Sequence, residues 1–428
     1  MRKMKDSGID WIGEIPLEKR VIRNKYKLVY TKGKIPTETN EEMKGVPYIG
    51  ATDLDSSNGY SLYTEDDTVP ECYKNDLLVL WDGARAGLAG NNKCGKISST
   101  IVKITADNSV YSPFLYWYYK GFEKYMYQCV NGTTIPHMNK KYIEDIGLLD
   151  WTYEEQINLS EYLDEKCGKI DAVIEKQQAI IEKLKEYKMS LITEAVTKGL
   201  DPDVPMKDSG IEFIGEIPER WNVTKLGMLF EYIGGNAYNS DCYISESENQ
   251  IVRIGNVKNG FMALENNPVY IDNKTAVNTA KFRIRQNTIL FTMTGTKGKR
   301  DYFYTHLVTE KDTEKKNLYL NQRVGCLIPK VGVDAGYYNY LLKDRRILDS
   351  IFLYETGTAN QGNLGIESIK RTKLQLPPLE EQIEIRKKLN KICDALGRTI
   401  ECKNRTIQCL VEYKKSLIYE VVTGKKEV

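Results

Sequence analysis

Met4-Lys-Asp-Ser-Gly-Ile-Asp-Trp-Ile-Gly-Glu-Ile-Pro16 is the stretch around which this chain is organised, because it recurs as Met206-Lys-Asp-Ser-Gly-Ile-Glu-Phe-Ile-Gly-Glu-Ile-Pro218. Eleven of the thirteen positions are identical, and the two changes keep an acid and an aromatic ring. The phrase is apolar in alternation, at Ile9, Trp11, Ile12 and Ile15 in the first copy, which suits docking on a neighbouring element. The chain therefore contains an internal duplication.

Further repeats show where the two copies differ. Glu154-Glu-Gln-Ile157 recurs as Glu380-Glu-Gln-Ile383, and Tyr187-Lys-Met-Ser-Leu-Ile192 recurs as Tyr413-Lys-Lys-Ser-Leu-Ile418. The opening phrases are offset by 202 residues and the later phrases by 226, so the second copy holds 24 more residues in between. A duplicated frame thus encloses two middle segments of different length and sequence, which indicates one scaffold presenting two different binding domains.

The segment after each Glu-Glu-Gln-Ile phrase predicts a long helix with a heptad seam, in which residues recur at alternating steps of four and three. The two seams are in register at the offset of 226, and their polar interruptions fall at the same places. Matching seams favour packing of the two helices on each other. The seam positions are Leu163, Cys167, Ile170, Ile174, Gln177, Ile181, Leu184, Lys188, Leu191 and Ala195 in the first helix, and Leu389, Cys393, Leu396, Ile400, Lys403, Ile407, Leu410, Lys414, Leu417 and Val421 in the second.

The helix ends carry recognisable signals. Thr152 and Glu155 have the spacing of a capping box, Pro377-Pro378 precedes the second helix, and Gly199 ends the first. Since the first helix delivers the chain to the second middle segment, its partner has to run back, and the pair is predicted to be antiparallel. At ~1.5 Å per residue, a helix of 46 residues spans roughly 70 Å.

The two middle segments read as mixed α/β domains. They carry short β-rich runs divided by Gly, Asn and Asp, and short helical stretches at Pro113–Tyr119 and Tyr337–Lys343. The predicted fold class is α+β: two mixed α/β domains joined by two long helices that form an antiparallel coiled coil, with an internal pseudo-twofold repeat. The predicted boundaries are 1–153 and 200–379 for the domains and 154–199 and 380–425 for the helices. The β-rich runs are Val46–Ile49, Leu77–Leu80, Ile97–Ile104, Ile251–Ile254 and Thr288–Phe291.

Composition excludes some classes of protein. The 428 residues include 61 basic and 59 acidic ones, which gives a net charge of +2. This value argues neither for nor against nucleic-acid binding, because such binding depends on local patches of charge. No apolar run approaches the 18 or so residues of a membrane span, and the first residues do not resemble a secretory signal. Nine scattered cysteines without a Cys-x-x-Cys pair indicate reduced thiols and a cytoplasmic protein.

Three kinds of catalytic or cofactor site can be tested on the sequence. Gly90-Asn-Asn-Lys-Cys-Gly-Lys96 matches seven positions of a P-loop, but Ile97 stands where a magnesium-binding Ser or Thr belongs, and a polar hairpin turn is the alternative. His137 and His306 lie far apart, so a metal site is not indicated. Neither Asp-Pro-Pro-Tyr nor Asn-Pro-Pro-Phe occurs, which argues against a methyltransferase. The sequence predicts a binding subunit without catalytic residues or metal ligands.

Across essentially its whole length the chain resembles the specificity subunits of type I restriction–modification systems. The resemblance rests on the two opening phrases and on Leu376-Pro-Pro-Leu-Glu-Glu-Gln382, and it extends to Gly132–Lys141 and to Gly357-Thr-Ala-Asn-Gln361. One departure is Asp150-Trp-Thr-Tyr153, where a Leu-Pro-Pro-Leu-like entry to the helix is expected and where Thr152 can cap instead.

The resemblance implies two target-recognition domains, each reading one half of a bipartite, asymmetric site in double-stranded DNA, and no membrane partner. It implies that the helices act as a spacer that docks two modification (methyltransferase) subunits, and that restriction subunits join the complex. S-adenosylmethionine, ATP and Mg are then expected in those partner subunits and not in this chain.

Two stretches in each middle segment are candidates for DNA contact. The first is a strand followed by a glycine turn with a basic residue, Leu78–Gly87 aligned with Leu290–Lys299, although this is also an ordinary fold element. The second is the polar loop before each long helix, whose alternative role is packing of the domain on the helix. Asn and Gln suit adenine edges, and Lys and Arg suit phosphate or guanine. The candidate residues are Arg85, Thr133, Thr134, His137, Asn139, Lys140 and Lys141 in the first segment, and Lys297, Lys299, Arg300, Asn360, Gln361, Lys370 and Arg371 in the second.

The sequence thus favours a DNA specificity subunit. Two alternatives stay open: a protein-interaction scaffold of a defence system, which captures partners without sequence-selective DNA binding, and an enzyme with an unrecognised site, which turns over a substrate on its own.

Overall fold

The computed structural model describes residues 3–23, 27–55, 59–128, 136–139, 141, 147–358 and 360–428. It divides into two compact units, unit 1 with residues 1–180 and 402–428 and unit 2 with residues 181–401. Each unit holds one opening phrase, one middle segment and parts of both long helices. The division therefore runs through the helices, and the predicted domain boundaries at 153 and 379 stay a prediction.

Each opening phrase folds into a small antiparallel hairpin. In unit 1 Met4–Asp6 pairs with Glu14–Pro16, and in unit 2 Met206–Asp208 pairs with Glu216–Pro218 in the same register. The turn needs glycine, because Gly8 and Gly13 have φ of 72° and 65°, as Gly210 and Gly215 have 70° and 72°. Identical hairpins explain why the phrase is repeated almost unchanged.

In unit 1 the hairpin packs on the end of the second long helix. Ile12 and Ile15 are buried in one core with Leu417, Ile418 and Val421. The Tyr419 hydroxyl donates a hydrogen bond of 2.9 Å to the carbonyl of Ile12. The alternating apolar residues of the phrase thus dock near a helix end.

Two four-stranded sheets lie in the middle segment of unit 1. The central sheet of unit 1 is antiparallel, in the order Leu28–Lys32, Ile101–Ala106, Leu77–Leu80, Ala89–Gly90. The side sheet of unit 1 has the order Tyr63–Thr64, Val46–Ile49, Gly95–Ile97, Glu71–Cys72, with a parallel pair in the middle. Val21–Arg23 pairs with Gly147–Leu149, and the helix Ser112–Gln128 packs on the central sheet and on the second long helix.

Unit 2 repeats the topology of the central sheet, whereas its side sheet has a different strand order. Its central sheet has the order Phe230–Gly234, Val324–Pro329, Ile289–Thr292, Thr305–Leu307, which follows the chain in the same first, fourth, second, third sequence. Its side sheet, Tyr243–Ile244, Tyr270–Ile271, Asn249–Val252, Asn317–Leu320, also contains one parallel pair. Middle segments with little common sequence therefore share the topology of their central sheet.

The remaining elements of unit 2 surround these sheets. Asn222–Lys225 pairs with Lys373–Leu376, Val257–Lys258 with Phe261–Met262, and Gln361–Leu364 lies between Thr294–Gly295 and Glu355–Thr358. The short helices are Leu226–Leu229, Asn273–Asn278, Glu310–Thr313, Ala335–Leu341, Arg345–Phe352 and Ile366–Arg371, with 3-10 turns at Ser240–Cys242, Ile254–Asn256 and Ala280–Phe282.

The first long helix is Tyr153–Lys198 and the second is Leu379–Val422. In unit 1 they run antiparallel: Lys414 forms an ion pair of 2.6 Å with Asp171, and Lys403 donates to the amide oxygen of Gln177 at 2.9 Å. In unit 2 Ile192 and Val196 share a core with Ile385 and Leu389. Every seam position named above is buried or partly buried.

Most helix signals read from the sequence are present in the structure. Thr152 and Glu155 form a capping box, in which the amide of Thr152 donates to the Glu155 carboxylate at 2.7 Å and the amide of Glu155 donates to the Thr152 hydroxyl at 3.2 Å. Gly199 follows the first helix with φ of 84°. The second helix ends at Val422 and not at 425, because Gly424 takes a φ of 71° that leaves the helical region.

The glutamine of each Glu-Glu-Gln phrase fastens a middle segment to its helix. Gln156 accepts a hydrogen bond of 2.8 Å from the amide of Tyr111 and donates to the carbonyls of Ser109 and Trp151. Gln382 does the same with the amide of Asp334 and the carbonyls of Gly332 and Pro377. Both glutamines are buried. We call each arrangement a glutamine clasp.

The predicted mixed α/β fold with two long helices is confirmed, and two of its strands need correction. The run Ile97–Ile104 is two strands of different sheets, because the turn Ser98-Ser99-Thr100 closes with a hydrogen bond from Ile101 to Ser98. The run Ile251–Ile254 ends as a strand at Val252, because Asn256 caps the following turn by accepting from the amide of Arg253 at 2.9 Å.

Candidate nucleic-acid interface

The two candidate stretches of the first segment lie side by side in unit 1. The amide of Gly83 donates to the carbonyl of Pro136, and the amide of Met138 donates to the carbonyl of Trp81, both at 2.9 Å. The His137 ring nitrogen is in contact with the carboxylate of Asp82. The glycine turn after a central strand and the loop before the first long helix therefore form one surface, the first candidate surface, made of residues 82–87 and 136–139.

Some polar side chains of the first candidate surface already form hydrogen bonds within unit 1. The Arg85 guanidinium donates at 2.7 Å both to Asp55 and to the carbonyl of Ala51, so it is held by its own unit. The Asn139 side chain accepts from the amide of Lys141 at 2.9 Å, and both residues are exposed. Thr133, Thr134 and Lys140 lie outside the described residues.

In unit 2 the corresponding stretches are joined by strand pairing. Thr294–Gly295 pairs with Gly362 and Asn363, next to the hairpin of Glu355–Thr358 and Gln361–Leu364. The Lys297 amine donates to the carbonyl of Gly357 at 3.1 Å. We call residues 294–299, 355–358 and 360–364 the second candidate surface. Lys299, Asn360 and Gln361 lie on it, and the first two of these are exposed.

Glycine is required where the hairpin turns. Gly357 has φ of 121°, and a Cβ there would lie 2.0 Å from the carbonyl oxygen of Gln361. Any side chain would therefore force the two strands apart. The position of Asn360 and Gln361 at the tip of the second candidate surface depends on this residue.

Carboxylates that sequence reasoning missed shape both surfaces. Asp301 accepts at 2.7 Å from the amide and from the hydroxyl of Thr296, and these bonds lower the pKa of Asp301. Glu355 accepts from the amide of Gly298 and, at 2.7 Å, from the Tyr302 hydroxyl. Asp82 stands beside Gly83, and an acid next to a turn glycine is a signal for such a role. Nothing in the local sequence marks Glu355.

Three predicted residues of the second segment lie outside the second candidate surface. Arg300 forms an ion pair with Asp349 on the helix Arg345–Phe352. Lys370 forms an ion pair of 3.0 Å with Glu367 and packs against Gly227 and the ring of Tyr232. Arg371 follows it as the last residue of the same short helix. The contacts of Lys370 lie outside the second candidate surface.

The P-loop-like segment does not have the structure of a nucleotide-binding site. Lys96 of the P-loop-like segment is buried and forms ion pairs with Glu71 at 3.1 Å and Asp67 at 3.2 Å. The segment connects the central sheet to the side sheet and is not a hairpin, since Ala89–Gly90 and Gly95–Ile97 belong to different sheets. Over the described part of the chain, no three His, Cys, Asp or Glu side chains converge as metal ligands would.

By their length alone, the two long helices are candidates for membrane-spanning segments. Within the described ranges, no helix combines the length and apolarity that a membrane-spanning segment requires.

Comparison with protein families gives one match that covers most of the chain. The family described as the type I restriction modification DNA specificity domain matches residues 27–163 and 218–410. The matched ranges begin and end within or near the two middle segments, and each extends into a long helix.

Two relatives match over most of their length. The chain is 28% identical to the type I restriction enzyme MjaVIII specificity subunit of Methanocaldococcus jannaschii, over 97% of this chain and 94% of the relative. It is 21% identical to the type I restriction enzyme EcoBI specificity subunit of Escherichia coli, over 83% of this chain and 75% of the relative.

Solved structures share the fold. A chain from a study of complex assembly and conformational transition of the type I R-M system superposes with a TM-score of 0.70 at 12% identity, covering 95% of this chain and 98% of that one. The HsdS subunit from Thermoanaerobacter tengcongensis gives a TM-score of 0.50 at 14% identity, covering 96% and 98%.

Proposed function

This chain belongs to the family of type I restriction–modification DNA specificity domains and is a specificity subunit that recognises DNA, and on that premise we propose how its two units divide the task. Unit 1 and unit 2 each read one half of a bipartite, asymmetric site. The first candidate surface contacts one half-site and the second candidate surface contacts the other. The chain itself carries out no catalysis.

The observation that supports this proposal is the repeated placement of the candidate stretches. Within each unit, a glycine turn after the same central strand lies against the polar residues that precede a long helix, although the two stretches are far apart in sequence. The central sheet has the same topology in both units, while the residues at the surfaces differ. Equal scaffolds with unequal surfaces suit the recognition of two different half-sites.

The long helices and the hairpins serve, in this proposal, as the spacer and as the docking sites for partner subunits. We propose two modification subunits, because the frame is presented twice, and restriction subunits that join them in the cytoplasm. S-adenosylmethionine, ATP and Mg then belong to those partners.

Domain exchange tests the division of the task. Residues 219–376 are replaced with the middle segment of an unrelated specificity subunit, and methylated adenines are mapped across the genome. We expect one half of the methylated motif to change and the other half to stay, because unit 1 keeps its surface.

The matched control is the reciprocal exchange of residues 17–150, which should change only the other half. If either exchange altered both halves, or if neither altered the motif, the proposal that each unit reads one half-site would be wrong. Methylation lost altogether in both chimaeras, with assembly intact, would contradict independent half-site reading.

A further inference from the structure

Unit 2 contains a cavity whose charged lining is mostly basic. It has a volume of about 370 Å³, and its lining includes Arg300, Lys343, Arg345, Asp349 and Asn259. The one carboxylate among these forms the ion pair with Arg300. Among the residues that the structure describes, Lys343 and Arg345 have no acidic partner. The cavity therefore carries two uncompensated positive charges.

The equivalent lysine of unit 1 is compensated. Tyr111 and Asp334 occupy equivalent positions, since each donates its amide to a glutamine clasp. Counting nine residues on from each gives Lys120 and Lys343. Lys120 forms an ion pair of 2.7 Å with Glu123, three residues further on, whereas the residue three positions after Lys343 is Arg346, in the next helix.

A second lysine shows the same change. Lys414 and Lys188 are equivalent at the helix offset of 226. Lys414 is paired with Asp171 at 2.6 Å, but the residue that corresponds to Asp171 is Gly397. Lys188 lies close enough to Lys343 to oppose its charge. Both acids that neutralise the lysines of unit 1 are thus replaced in unit 2, so the positive charge there is specific to that unit.

Besides Arg300, which lines the same cavity, charged and titratable groups near Lys343 come from both long helices and from the helix Arg345–Phe352. Lys188 belongs to the first long helix and Cys393 to the second, and Arg345 begins the helix that carries Asp349. Burial first, and then the like charge of Lys188, lower the pKa of Lys343 to about 8. A partly buried lysine near another lysine is unfavourable until an anion enters.

We propose that this cavity binds a backbone phosphate of the DNA that unit 2 reads, an inference that rests on the proposed function. Arg300 connects the cavity to the second candidate surface, because it lines the cavity and directly follows the glycine turn that carries Lys297 and Lys299. The ammonium of Lys343 supplies a point charge and the guanidinium of Arg345 can donate two hydrogen bonds to phosphate oxygens. Such a contact positions the unit on the duplex without reading a base.

The test measures DNA binding by the complex assembled with its modification subunits, on a duplex containing the motif found by methylation mapping and on an unrelated duplex. The double substitution Lys343→Gln/Arg345→Gln should weaken binding to both duplexes by several-fold. It should reduce the magnitude of the log–log salt slope by about 0.9 for one lost phosphate contact. The methylated motif should stay the same.

Two further substitutions refine the test. Lys120→Gln in unit 1 is the matched control and should leave the salt slope unchanged, because Glu123 already compensates that lysine. Gly397→Asp restores the acid that unit 1 has, and a Cβ at this position would meet no atom of another element within 4 Å. It should weaken binding less than the double substitution, because it attracts Lys188 without removing the cavity's own cations.

The outcomes are separable. If the wild-type complex binds its motif selectively but the double substitution leaves the salt slope unchanged, the phosphate site is wrong and the proposed function stands. If the substitution instead reduces capture of the modification subunits, the cavity takes a carboxylate of a partner and the proposal is also overturned. If the wild-type complex shows no selective binding, the proposed function itself fails.

Discussion

Lys343 gives the stability of unit 2 a dependence on pH that can be measured in the free chain. Its pKa falls from an ordinary value of 10.5 to about 8 through burial and through the charge of Lys188. Between these values the unfolded chain binds more protons than the folded chain, so the free energy of unfolding rises as pH increases through this interval. The full shift corresponds to at most about 3 kcal/mol, and solvent reduces it.

Denaturant unfolding at several values between about pH 7 and pH 10 checks this prediction when the wild type is compared with Lys343→Met. The difference between the two profiles isolates this residue from the other groups that titrate. We expect the variant to be the more stable form at the acidic end and to lose this advantage as pH rises. Parallel profiles would contradict the expectation.

Gln382 is a second residue with a predictable effect, because it holds three backbone groups in a buried clasp. Gln382→Ala leaves the amide of Asp334 and the carbonyls of Gly332 and Pro377 without that partner. A buried polar group without its hydrogen bond costs ~1–3 kcal/mol, and we expect the free energy of unfolding to fall by roughly that amount or more.

The control for the clasp is Gln178→Ala, since Gln178 is an exposed residue of the first long helix. Alanine has the higher helix propensity, so this change should be neutral or slightly stabilising. Equal losses of stability in the two variants, measured by chemical denaturation, would show that the clasp has no special role.

At the scale of elements, the helix pair of unit 1 keeps a polar contact inside its apolar seam. Lys403 donates to Gln177 across the pair, and the two positions are equivalent at the offset of 226. Polar residues at a seam lower stability but help to select register and orientation. Replacing both residues with leucine should raise the free energy of unfolding by roughly 1–2 kcal/mol, because matched apolar residues replace a partly buried polar pair.

Thermal unfolding of Gln177→Leu/Lys403→Leu beside the single Lys403→Leu variant measures the effect. The single variant leaves Gln177 facing leucine and should gain less than the double variant. A double variant less stable than the wild type would mean that the polar pair is itself stabilising.

The elements also show how far sequence reasoning reaches. The long helices could be predicted because a heptad seam is periodic and the capping box of Thr152 and Glu155 is local. The break between Gly95–Ile97 and Ile101–Ala106 could not be predicted, because β-branched residues lie on both sides of it. The two strands are distinguished only by the different sheets that they join. The clasp of Gln156 was also hidden, since its partners lie 45 or more residues away in two of its three bonds.

At the scale of the whole chain, the repeats predicted a duplicated frame, but they gave only part of the candidate surfaces. Arg85 fits phosphate by residue type, yet the structure pairs it with Asp55. Glu355 acts through the amide of Gly298, which is 57 residues away. Residue types indicate what a side chain can bind, whereas its partners within the fold decide whether it is available.

The two units also differ in the order in which the ribosome supplies them. Unit 2 is one continuous stretch, residues 181–401, whereas unit 1 needs residues 402–428 in addition to residues 1–180. Val421 and Val422 belong to the same core as Ile12 and Phe114, and the Trp151 indole donates to the carbonyl of Val422 at 3.1 Å. The unit that is translated first is therefore the last to complete its core.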